Sequence, residues 1–250
     1  MNYLILNGKR STLIKGLIIC SLPPITKPLV RTSIDEIDGR DGDIVTKLGY
    51  AAYDKTVEIG LAGEYDVDQV INFFASDADT VGVNMSFGNI SSGTVIFSNE
   101  PDKYYRYCIY EAIDFEKLLR FKKATVTFHV QPFKYSAVDD VLEVSTSGSS
   151  GTVSLFSRGN IYSKPKITVH GSGTVTLMRW GSAVLDMTGH SILTLDCEDM
   201  NVYSLTELCN RAANWQPKYL YMTPGTNTFS WSSSGGSVSK IRIENYSRWI

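Results

Sequence analysis

The sequence predicts a mainly β protein built from two β-sandwich-type domains, the first carrying a short helix. Three observations carry that prediction. Hydrophobic residues make up 43% of the chain, enough for a real core. Short runs along most of the length alternate apolar and polar residues with a period of two, as half-buried strands require. The tract Ser145-Thr-Ser-Gly-Ser-Ser-Gly151 holds no large side chain and reads as a loop or joint between two β-rich halves. At 250 residues there is room for two domains, taken as 1–135 and 136–250.

In chain order, Asn2 to Ile19 reads as two strands around a turn at Asn7-Gly8. Pro23, Pro24 and Pro28 impose an extended passage, because each fixes φ and restricts the residue before it. Ile34 to Asp43 is a tight turn or bulge, with Gly39 and Gly42 supplying positive φ. Its acidic residues do not make a calcium loop: from Asp35 the third and fifth positions are Ile37 and Gly39, and from Asp38 they are Arg40 and Gly42. Thr56 to Leu61 reads as a strand. Then the period changes. Val67, Val70, Ile71 and Phe74 recur at helical spacing behind Asp66, an N-cap residue, so 66–75 is predicted as a helix.

From Gly82 to Val130 the pattern is again strands, including 81–87, Thr94 to Phe97 and the aromatic run Tyr104 to Tyr110. The strand Ala124 to Tyr135 alternates most cleanly, and Pro132 marks a strand end or sheet edge within it. In the second half, strands are expected at 152–156, 174–178, 191–196, 228–231 and 238–243, separated by Gly/Ser/Asn turns. Leu205 to Ala213 reads as either a short helix or an irregular loop.

Charge and motifs exclude several function classes. Residues 1–135 hold 15 Lys+Arg against 17 Asp+Glu, and residues 136–250 hold 9 of each. Neither half has the basic surplus that nucleic-acid binding requires. No apolar run reaches the ~20 residues that span a bilayer, and the basic pair Lys9-Arg10 follows the first apolar residues, the reverse of a signal peptide. This start points to a protein kept in a cytoplasm or assembled there. Cys20, Cys108, Cys197 and Cys209 lack metal or disulfide spacing and read as buried free thiols. His129, His170 and His190 form no ligand pair, and no nucleophile elbow or phosphate loop occurs. Asp139-Asp140 and Glu198-Asp199 are adjacent acids, which point to opposite faces of a strand. The sequence therefore predicts no enzymatic activity, no metal and no cofactor. The sequons at Asn84, Asn89 and Asn245 are chance matches without a secretion signal. Trp180, beside Gly181 at a turn, and Trp215, in a loop, sit where a ring can be exposed to a glycan, with Trp231 in the same half; the ordinary reading of tryptophans in a sandwich is core or rim packing.

Several stretches together resemble a known family. They are Gly39-Arg-Asp-Gly42, the helix that follows, the strand ending Pro132-Phe-Lys-Tyr135, and Gly159-Asn-Ile-Tyr-Ser-Lys-Pro-Lys-Ile167. Gly171-Ser-Gly173, Leu195-Asp196 with Val202-Tyr203, and Pro224-Gly-Thr-Asn-Thr-Phe-Ser-Trp231 complete the set. In order and spacing they are similar to the distal tail protein (Dit) family of siphophages, over nearly the whole chain. Ala213-Asn-Trp-Gln-Pro-Lys-Tyr219 departs from the family pattern, which has a glycine-acid pair before the proline.

The resemblance implies a ring-forming N-terminal domain and a galectin-like C-terminal one. It implies a hexamer at the distal end of a virion tail, assembled in the host cytoplasm. The implied partners are the tail tube, tape measure and tail-tip (tail-associated lysin) proteins, and a baseplate or receptor-binding protein. A closed ring uses two different faces of each subunit. The expected faces are the aromatic strand, through Tyr105 and Tyr107, and the outer side of the helix, through Asp66, Gln69 and Asn72. The rival expectation is a carbohydrate-binding module contacting its ligand through Trp180 and Trp215.

Overall fold

Alternation decides the main sheet of the first half. In the computed structural model, which describes residues 1–39, 41–75, 93–109, 113–138, 140–205, 207–213 and 220–250, nine strands precede residue 137. They are β1 (Leu4–Leu6), β2 (Lys9–Arg10), β3 (Leu17–Ser21), β4 (Val30–Asp35), β5 (Ile44–Tyr50), β6 (Tyr53–Leu61), β7 (Gly93–Phe97), β8 (Lys103–Ile109) and β9 (Lys123–Ser136). An antiparallel sheet runs β2-β1-β7-β8-β9-β6-β3, while β4 and β5 pair only with each other among the described strands. β6 and β9 align Val57 with Val126 and Lys55 with Phe128, so one face of both is turned into the core, apolar except for Lys55. Phe128 sits at the centre, edge-on to Phe97 at 6.0 Å and to Tyr107 at 5.1 Å. Each such ring contributes on the order of 1.5–3 kcal/mol by leaving water.

The turn at Asn7-Gly8 forms as expected, both residues being left-handed at φ 47° and 81°. Pro132 lies inside a long β9 rather than at its end. It is tolerated there because pairing with β6 stops at Val130 and the partner β8 is irregular between Tyr105 and Tyr107.

The predicted helix is α1 (Val67–Ala75). Asp66 Oδ1 accepts from the backbone N–H groups of Asp68 and Gln69 at 3.0 and 3.2 Å, capping its first turn. Val70, Phe73 and Phe74 enter the core of the sheet. A second helix, α2 (Phe115–Phe121), replaces part of the strand pattern expected before Val130. Asp114 caps it by accepting from Lys117 N at 2.8 Å, Leu118 buries against the sheet, and Lys122 ends it in the left-handed region at φ 58°. The predicted strand at 81–87 and the turn after it lie outside the described residues.

The second half holds β10 (Asp140–Ser145), β11 (Ser150–Ser157), β12 (Lys166–Gly171), β13 (Thr174–Arg179), β14 (Ser182–Met187), β15 (Ile192–Asp196), β16 (Asn201–Ser204), β17 (Glu207–Leu208), β18 (Gly225–Ser234), β19 (Val238–Asn245) and β20 (Arg248–Trp249). Two antiparallel sheets, β10-β19-β12-β15-β16-β17 and β11-β18-β13-β14, share one core. Ile167, Val169, Leu193 and Ile243 come from the first sheet, and Val175, Leu177, Leu185 and Phe229 from the second. Trp231 is core as well: it pairs with Gly151, where a Cβ would stand 2.3 Å from the indole. The Leu205 to Ala213 stretch resolves into β17 and a short 3-10 turn at Asn210–Ala212.

The chain divides into compact units of 1–137 with Ile250, and 138–249. The Ser/Gly tract after Ser145 is a loop between β10 and β11, internal to the second unit. Cys20 is exposed, correcting the expectation of a buried thiol, whereas Cys197 is buried and its thiol is pushed up to about 12 by burial. No helix among the described residues is long and apolar enough to cross a membrane.

Candidate subunit interface

Tyr105 and Tyr107, expected on an outer face, point inward. They are 0% and 7% exposed and face the core of the first unit. Alternation along β8 correctly pairs them on one face, but that face is the inner one. Their hydroxyls find partners inside. Tyr107 Oη accepts from Asn7 Nδ2 at 3.4 Å. Tyr105 Oη donates to Glu100 Oε2 at 2.5 Å, and Lys134 Nζ donates to Glu100 Oε1 at 2.7 Å. Lys55, also buried, donates to the carbonyl of Pro24 at 2.9 Å. Burial holds Lys55 down to about 8 despite the attraction of Glu100, and burial together with the Glu100 bond pushes the Tyr105 hydroxyl far up. The outer face of β8 carries Tyr104, stacked on Tyr135 at 5.3 Å, and Arg106 over the same ring at 4.5 Å.

Asp66 is only half-buried, and its carboxylate is occupied by the helix cap and by Gln69 Nε2 at 3.0 Å. Gln69 and Asn72 are exposed beside Asp68, leaving a polar outer face on α1.

The feature that sequence reasoning missed is the β4–β5 hairpin and the strand of chain leading into it. Ile34 and Val45, paired across the hairpin, are 60% and 62% exposed, and Ile25, Leu29, Ile37 and Leu48 are exposed around them. A two-stranded ribbon with no covering layer is marginal in water, and exposed aliphatics gathered in one segment mark an interaction surface. Its base is anchored. Ala51 N donates to Leu29 O at 2.8 Å, Lys47 Nζ donates to Tyr50 Oη at 3.0 Å, and Tyr50 packs edge-on against Phe133 at 5.5 Å. Gly39 and Gly42, at φ 79° and 80°, make the tip. The available signal was the density of aliphatics between Ile25 and Leu48 in a stretch with no buried periodicity.

Other candidates place as follows. Asp140 is buried, paired with Arg158 Nη2 at 2.9 Å and accepting from Ser247 Oγ at 2.5 Å; Asp139 lies outside the described residues. Glu198 and Asp199 offer their backbone N–H groups to Asp196 Oδ1 in a turn. His129 bonds Asp54 at 2.7 Å on the surface. A cavity of about 670 Å3 is lined by Asp186, His190, Glu207, Cys209 and Arg211 among others. Among the described residues no His/Cys/Asp/Glu group is arranged to hold a metal. Asn245 is buried in a hydrogen-bonded network with Ser157, Ser163 and Ser247, while Asn84 and Asn89 lie outside the described residues. Trp180 is 69% exposed, and Trp215 lies outside the described residues.

The sequence matches no protein-family model and no curated protein. Solved structures do match. The Dit (gp 19.1) protein of phage SPP1, described as a paradigm of the hub adsorption apparatus in Gram-positive-infecting phages, aligns at TM-score 0.63 and 14% identity, covering 100% of both chains. A chain of the phage p2 baseplate in its activated conformation aligns at TM-score 0.53 and 10% identity with strontium bound, covering 98% of both chains. With calcium bound the values are 0.53 and 10%, covering 98% of this chain and 97% of that one. From end to end, this chain has the fold of the SPP1 Dit protein.

Proposed function

We propose that the chain is a structural, non-enzymatic subunit of a phage tail tip: a hexameric ring hub joining the tail tube to the baseplate and receptor-binding apparatus. The observation that carries the proposal is the aliphatic hairpin β4–β5, which the isolated chain leaves uncovered. A second copy supplies the cover: in a head-to-tail ring each hairpin docks on the neighbour and the contact repeats until the rotation closes. The whole-chain likeness to the SPP1 and p2 proteins supports the same reading. The sequence resemblance adds the number six, the tape measure and tail-tip partners, and a galectin-like second domain. The polar face of α1, through Gln69 and Asn72, is the complementary candidate surface.

Light scattering coupled to size exclusion tests the proposal. A discrete species at six times the 27.7 kDa chain mass is expected. Ile34→Glu with Val45→Glu should give a folded monomer, because two charges would be desolvated in each contact. A wild-type chain that stays monomeric at every concentration, alone and mixed with tail-tube protein, counts against the ring. A double variant that still assembles removes the hairpin from it.

A further inference from the structure

We propose that the surface of the second unit around Trp180 binds an anionic saccharide, an activity separate from ring assembly. The site begins at a turn. β13 and β14 join through Trp180 and Gly181, both left-handed at φ 52° and 76°. That is type I′ geometry, whose first position favours Asn, Asp or Gly. A tryptophan placed there sits in a backbone region it disfavours, and its indole is mostly in water. Neither the turn nor the core explains it.

Two tyrosines extend the surface. Trp180 and Tyr221 lie 6.2 Å apart at 72°, and Tyr221 and Tyr162 lie 6.0 Å apart at 70°. Their placement is rigid. Ser163 and Met222 form an antiparallel bridge through backbone hydrogen bonds at 2.9 and 2.8 Å, which puts Tyr162 and Tyr221 on one face, diagonally across it. Asn227 fixes the following turn by bonding Thr223 and Gly225.

Arg179 lies behind the rings and is 2% exposed. Its guanidinium carbon stands 3.9 Å from the Trp180 ring centroid and 5.7 Å from that of Tyr221. Nη2 donates to Asn227 Oδ1 at 2.5 Å, whereas Nε and Nη1 are buried with no hydrogen-bond partner. No carboxylate pairs with it among the described residues. Arg248 stands 5.5 Å from the Tyr162 centroid. A buried cation without a counter-charge projects its potential outward through the ring it touches. The flat outer faces suit the C–H face of a sugar ring, and the tyrosine hydroxyls suit its polar edge. The uncompensated charge selects a sugar bearing a carboxylate or phosphate. A free anion would gain nothing from the rings, and a neutral sugar nothing from the arginine.

Calorimetric titration of the full chain with trigalacturonic acid, neutral cellotriose and inorganic phosphate tests this. The acidic sugar should bind about tenfold more tightly than the neutral one, an advantage that shrinks with added salt. Trp180→Asn suits the turn, so its melting temperature should hold or rise while affinity falls at least about tenfold. Arg179→Met should keep sugar binding and lose the preference for acid. The Ile34→Glu/Val45→Glu chain should bind as well as the unmodified one, which separates this site from assembly. The proposal is overturned by equal affinity for both sugars, by no binding of either, by phosphate competing as well as the acidic sugar, or by a folded Trp180→Asn chain that binds unchanged.

Discussion

Each unit buries cations against aromatic rings, and the two treat them differently. In the first unit Lys55 and Lys134 surround Glu100, whose two oxygens accept from Lys134 and Tyr105, while Lys55 takes the carbonyl of Pro24. Here each buried headgroup has an oxygen acceptor, and the cluster is part of the framework on which the hairpin is mounted. In the second unit Arg179 has one neutral acceptor, two unsatisfied nitrogens and a tryptophan roof. Buried cations supplied with acceptors specify a fold; an unsatisfied one at an exposed aromatic surface keeps unused binding capacity. The exposed apolar surfaces differ in the same way. The hairpin of the first unit offers exposed aliphatic side chains, which fits another protein chain. The second unit offers aromatic rings backed by arginine, which fits a small polar ligand.

The largest expected effect comes from Glu100→Gln. It leaves two buried lysines and a tyrosine hydroxyl without their carboxylate, and urea denaturation should show a loss of about 3–5 kcal/mol. Arg179→Met sharpens the contrast, since removing an unpaired buried charge should leave stability unchanged or raise it by about 1 kcal/mol. Equal losses in both variants would erase the distinction between the two clusters.

A smaller effect is a pH slope. Lys55 is depressed from 10.5 to about 8 in the folded chain, so between those values the unfolded chain binds more protons and stability rises with pH. The cost of keeping it charged is fully present below pH 8. Above about pH 10 the raised Tyr105 and Tyr53 hydroxyls act oppositely, because only the unfolded tyrosines ionise. Denaturation midpoints should therefore climb from pH 8 to about 9, where ionisation of Cys197 in the unfolded chain begins to offset the rise, and the climb should be absent in Lys55→Met. A flat profile in both chains would show that Lys55 keeps its charge. The smallest effect on folding belongs to Ile34→Glu: at dilutions where the chain is monomeric its stability should move by no more than ~0.5 kcal/mol, although assembly is lost.

Much of the fold was legible because strands with one wet face advertise themselves. The cap at Asp66, the turn at Asn7-Gly8 and the alternation from Ala124 onward all formed. Alternation tells which residues share a face, yet it does not tell which face is inside. That is why Tyr105 and Tyr107 were placed outward when Glu100 and Asn7 wait for them within. α2 escaped because seven residues between strands carry too little periodicity, although Asp114 and Lys117 held its cap signal. The hairpin was seen only as its glycine tip, because its strands bury neither face and so lack the pattern by which strands are recognised. The turn at Trp180-Gly181 was legible, though tryptophans in a sandwich ordinarily read as packing; the buried Arg179 beside it was not, since a charge inside a core is a property of the fold.

Electron microscopy of the purified chain, with class averages examined for rotational symmetry, tests the central claim most directly. Closed rings of six subunits that disappear in the Ile34→Glu/Val45→Glu chain are the predicted result. Rings of unchanged symmetry in that variant, open filaments, or particles no larger than single chains in the unmodified protein would contradict it.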